Sequence, residues 1–66
     1  MEIFIEKLNK TIEYKVVDKI LIKEIMKELN LSNEDVIILK NDKIVLDMDH
    51  VIDSDKLKML TIISGG

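Results

Sequence analysis

The sequence predicts an α+β domain in which one helix packs across a mixed sheet of four or five strands. Three observations carry that expectation. Two segments near the start alternate apolar and polar residues with period two, the signature of half-buried strands. The period then changes to a helical stripe around positions 19–29. After it come short apolar runs separated by Asn, Asp and Ser, which read as strands and turns. Composition agrees: the 66 residues include twelve Ile and five Val against eight Leu, and β-branched side chains favour strands.

In the first segment, Met1 to Leu8, Met1, Ile3 and Ile5 share one face, and Glu2, Phe4 and Glu6 the other. Asn9-Lys10 is suited to a tight turn. Thr11 to Val17 alternates again, with Ile12, Tyr14 and Val16 on one side, so the pair reads as a β-hairpin. At Asp18 the pattern changes. Ile22, Ile25, Met26 and Leu29 follow i, i+3, i+4, i+7, with Lys23, Glu24, Lys27 and Glu28 opposite. The expected helix runs over 19–29, with Asp18 as N-cap and Asn30 as a left-handed stop. Val36 to Lys40 is a short apolar run, expected to be a strand buried on both faces or nearly so. A turn at Asn41-Asp42 and a strand over 44–46 follow. Residues 47–55 are polar and irregular, with Val51 and Ile52 expected in the core. The last strand spans 56–63, with Leu57 and Met59 facing opposite to Leu60 and Ile62.

Composition excludes several functions. The chain has no Cys, so a disulfide scaffold, a thiolate zinc site and a cysteine nucleophile are out. Thirteen acidic residues oppose ten basic ones, all of them Lys, for a net charge of −3. A net acidic chain without Arg is poorly suited to nucleic acid. The longest unbroken apolar run, Val36 to Leu39, is far too short to span a bilayer. No basic-then-apolar leader opens the chain, so a cytoplasmic protein is expected, as one domain over 1–66 and monomeric by itself.

The informative feature is the end of the sequence. There are two Gly, and they are the last two residues. With two Gly in a chain of this length, the chance that both fall last is about one in 2,000. Turns elsewhere are made from Asn, Asp and Ser. Ser64-Gly65-Gly66 forms a thin rod with almost no side chains, expected to be a flexible tail over 64–66. Without Cβ atoms such a rod threads a narrow channel. The carboxylate at its end, ionised at neutral pH with a pKa of about 3.5, is inert as an electrophile until another protein activates it.

The hairpin–helix–strands order and the terminal Gly65-Gly66 together resemble the ubiquitin-like β-grasp sulfur carriers of the ThiS/MoaD type, the compact length favouring the thiamine-type members. The resemblance covers the whole chain. It includes the helix over 19–29, the strand-turn-strand from Ile38 to Val45 and the acidic turn Asp53-Ser54-Asp55. Two turns depart from the family: Ser54 stands where Gly-Asp is usual, and the first hairpin lacks its frequent Asn-Gly. The resemblance implies that an E1-like adenylating enzyme (ThiF/MoeB type) adenylates Gly66 with ATP, and that sulfur transfer converts it to a thiocarboxylate. That species donates sulfur through an accepting synthase, in thiamine thiazole, molybdopterin or tRNA thiolation chemistry. The protein is then a co-substrate and not an enzyme. It has no catalytic residue and no bound cofactor, and the ATP is consumed by the partner. The absence of Cys fits, since no internal thiol competes for the activated glycyl group. The same features admit a ubiquitin-like modifier joined through Gly66 to lysines, or a β-grasp interaction module.

A docking surface is also expected. If the first and last strands pair in parallel, Leu60 and Ile62 lie near Phe4 on the face away from the helix, with Ser64 at the start of the tail. Asp47, Asp49, Asp53 and Asp55 surround His50 in sequence, but their spacing matches no EF-hand and no Gly supplies the sharp turn. They read as a solvated acidic rim, able to steer a basic partner. His50 has neither a nucleophile nor a second His and is assigned no catalytic role.

Overall fold

A computed structural model describes residues 1–62. The chain forms β1 (Glu2–Ile5), a 3-10 turn (Glu6–Leu8), β2 (Lys10–Glu13), β3 (Ile20–Leu21), α1 (Ile22–Glu28), β4 (Val36–Lys40), β5 (Lys43–Val45), β6 (His50–Val51) and β7 (Lys56–Thr61). Five strands make one mixed sheet in the order β2-β1-β7-β4-β5, and β3 and β6 form a separate two-stranded ladder. The first and last strands pair in parallel at the centre, and the other pairings are antiparallel. This is the β-grasp arrangement that the resemblance implied, with five strands in the main sheet.

The faces of β1 and β7 follow the sequence alternation. Ile3, Ile5, Leu57 and Met59 are buried, and they meet Ile22, Ile25 and Met26 from the helix and Val36 and Ile38 from β4. Each such side chain contributes about 1.5–3 kcal/mol by leaving water. In a chain this short and without a covalent staple, that cluster is the main source of stability.

The helix departs from expectation at its start. It begins at Ile22, not position 19, and Asp18 does not cap it; Leu21 occupies the cap position and no side chain bonds there. The cause is tertiary. Ile20 and Leu21 pair with Val51 and His50, which holds them extended. The Ile22 and Lys23 N–H groups then donate to the backbone carbonyls of Asp49 (2.9 Å) and Asp47 (2.8 Å). Two of the free donors at a helix start are thus satisfied by a distant loop, which leaves a side-chain cap less to do. The helix end matches expectation. Asn30 is left-handed at φ 57°, Leu31 N–H bonds Met26 C=O and Asn30 N–H bonds Lys27 C=O, the paired bonds of a Schellman stop.

Three further expectations are corrected. β1 ends at Ile5, because the chain coils through the 3-10 turn to Asn9, left-handed at φ 47°, and β2 ends at Glu13, opposite Glu2 where its partner strand begins. Val36 to Lys40 is not buried on both faces: Val36 and Ile38 are buried while Ile37 is exposed, since the helix covers only one side of the sheet. Val51 is buried as expected, but Ile52 is exposed, its N–H held by the Asp55 carboxylate in a surface turn. The Asn41-Asp42 turn forms as expected, both residues at positive φ, the geometry of a two-residue hairpin.

Candidate functional site

The candidate site is the uncovered face of the sheet together with the end of β7. The tail residues Ser64, Gly65 and Gly66 lie outside the described residues, so the site is built from what leads to them. β7 is the central strand, flanked by β1 and β4. Its last two described amides are held from opposite sides. Thr61 N–H donates to the Glu6 carboxylate (2.8 Å), and Ile62 N–H to the Asp35 carbonyl (3.0 Å).

Parallel pairing sets Phe4 beside Lys58, so Phe4 and Leu60 are diagonal neighbours on the same face. Both are half-buried, and Ile62 is exposed. Of the expected docking residues, Phe4 and Leu60 are therefore neighbours on the uncovered face, while Ile62, one residue past the end of β7, lines a cleft with Leu31 and Val36 beside the end of the helix. The register adds others that the sequence did not point to. Ile37 sits opposite Leu60, and Leu39 opposite Lys58; Ile44 sits opposite Leu39. Ile37 is 40% exposed and Ile44 75%. The only sequence signal for them is parity: counting back from the Asn41-Asp42 turn separates Ile37 and Leu39 from Val36 and Ile38.

This face is graded. Toward the end of β7 it is apolar, with Leu60 and Ile37. Toward its start it carries Glu2, Lys56 and Lys58, the last with its ammonium 3.4 Å from Asp42. An apolar patch rimmed by charge is the usual form of a protein docking surface.

The acidic segment resolves into structural roles. The Asp53 carboxylate accepts from Val16 N–H (3.1 Å) and from the Met1 ammonium (3.0 Å). These two partners, the backbone N–H first, hold its pKa below the ordinary 3.8. Asp55 is likewise lowered, by the Ile52 N–H and then the Asn41 side-chain amide. Asp47 accepts from the Asn33 amide (3.0 Å), and Lys40 donates to the His50 carbonyl (3.1 Å). Among the described residues no three His, Asp or Glu side chains come close enough to share a metal ion. Likewise no described helix is long and apolar enough to cross a membrane.

Comparison with known proteins finds a likeness of fold. No protein-family model matches the chain, and no curated protein matches it. Among solved structures it is similar to the thiamine biosynthesis protein ThiS of Geobacter metallireducens, with a TM-score of 0.67 over the full length of both chains and 20% identity. At that identity the likeness establishes the fold, a ThiS-like β-grasp.

Proposed function

We propose that this chain is a sulfur carrier whose working group is the Gly66 carboxylate. The observation that carries the reading is the central strand of a ThiS-like β-grasp leading, four residues past Ile62, to a terminal Gly65-Gly66. Mature protein ending at Gly66 is part of the reading.

The chemistry follows from the inertness of a carboxylate. An adenylating partner brings a Gly66 oxygen to the α-phosphorus of ATP; a C–O–P anhydride forms and pyrophosphate leaves. Sulfur at the sulfide level then attacks the Gly66 carbonyl carbon and expels AMP, leaving a thiocarboxylate. Nothing in either step needs a catalytic side chain from this protein. It contributes a narrow acyl terminus and a docking face formed by Phe4, Leu60 and Ile62, with Ser64 leading into the tail. The thiamine biosynthesis protein of the same fold favours the thiazole of thiamine as destination, through a sulfur-accepting synthase.

Removal of Gly65 and Gly66 tests the reading. The truncated protein keeps its melting temperature, because glycine has no side chain to bury, and it no longer supports ATP–pyrophosphate exchange by the host's adenylating enzyme. Full biological function in the truncated protein would instead identify a β-grasp interaction module.

A further inference from the structure

We propose that Glu6 is a positioning residue for the tail: its carboxylate replaces a missing strand carbonyl and fixes the direction in which β7 ends. The role rests on the sulfur-carrier reading, since only an activated terminus needs to be aimed.

The parallel register runs from Glu2 beside Lys56 to Ile5 beside Met59. Two more residues in that register would set position 7 beside Thr61. β1 has ended by then, and the chain has coiled into the 3-10 turn over Glu6–Leu8. Thr61 N–H still points to that side, where no ladder carbonyl remains, and an unpaired N–H at a strand end lets the strand fray. The 3-10 turn swings Glu6 back so that its Oε1 sits 2.8 Å from the Thr61 nitrogen. A carboxylate accepting from a backbone N–H is among the stronger hydrogen bonds. The Asp35 carbonyl holds the next amide, Ile62, from the β4 side. The strand is therefore fixed on both edges immediately before the tail. Three residues separate Ile62 from Gly66, so the last anchored amide sets the point from which the terminal carboxylate reaches its partner.

Glu6 is exposed and outside the core cluster, so its replacement separates aim from stability. If the sheet face docks and Glu6 aims, the two contributions fall on different kinetic constants. The test compares E6A, E6D and E6Q with the parent protein. It reads amide exchange at Thr61, melting temperature, and kcat and KM for Gly66 adenylation by the host's adenylating enzyme. In E6A, Thr61 exchange quickens about tenfold and kcat falls about tenfold, with KM and melting temperature near parental values. E6Q, which keeps an oxygen acceptor at the same reach, restores both. E6D is too short to reach Thr61 and behaves as E6A, which keeps the test intact should the alanine variant fold poorly. Parental kcat in E6A and E6D, or unchanged Thr61 exchange, overturns the role of Glu6 while leaving the carrier reading standing. A parent protein that no adenylating enzyme activates overturns both.

Discussion

The two faces of the central sheet are built from similar side chains and do different things. On one face Ile3, Ile5, Ile38, Leu57 and Met59 are almost completely buried beneath the helix. On the other, Phe4, Leu39 and Leu60 are half-buried and Ile37 and Ile44 are exposed. The difference does not lie in residue type, since Ile and Leu occur on both. It lies in the single short helix, which can cover one face only. Stability therefore resides on the covered side. The apolar end of the uncovered side lies outside the buried cluster, which is the physical basis for reading it as a surface for a partner.

The comparison predicts opposite phenotypes for substitutions one residue apart. The largest effect is expected at Met59, with no exposed surface. Met59→Ala leaves a cavity between sheet and helix and costs about 2–5 kcal/mol, a large part of the stability of so small a domain. Thermal or urea unfolding reads it. A small loss would mean that the covered face is not the core.

On the uncovered face, Leu60→Asp combined with Ile62→Asp should change stability by only about 1 kcal/mol. The same pair should raise the KM for Gly66 adenylation roughly tenfold or more, by placing charge in the docking patch. Unchanged adenylation would remove the docking role. A large loss of stability would erase the distinction between the faces.

A smaller effect comes from acid, which loosens the edge of the fold without altering either apolar face. Asp53 has a folded-state pKa below the ordinary 3.8, so its contribution is present above that value. It is lost as pH falls through 3.8 toward the lower folded value. Asp53→Asn removes the titrating group. The variant should be slightly less stable at neutral pH and should lose less on acidification than the parent. Parallel acid-unfolding curves for the two proteins would show that the bonds to Val16 and Met1 do not stabilise the fold.

What could be read from the sequence was what is locally determined. Alternation in β1 and β7 assigned their faces correctly, and Asn30 marked the helix end because its left-handed conformation belongs to the residue itself. The opposite parity of Leu60 to Met59 placed Leu60 on the uncovered face. What could not be read depends on contacts distant in sequence. The helix start is set by carbonyls of the 47–49 loop, which local caps do not reveal. The run from Val36 to Leu39 has no periodicity of its own, so the exposure of Ile37 could be read only from its parity relative to the Asn41-Asp42 turn. Glu6 was hidden because it reads as one more residue on the Glu2 and Phe4 side of the opening strand. Only the end of β1 at Ile5 gives its carboxylate a vacant strand position to fill.

The central claim is that Gly66 is an acyl terminus activated by another protein, and the intact mass of the protein isolated from its native cells tests it most directly. The account predicts a chain ending at Gly66, with a fraction in which one carboxylate oxygen is replaced by sulfur and which reverts on hydrolysis. Protein that continues past Gly66, or that occurs only as Gly-Gly adducts on the lysines of other proteins, would contradict it.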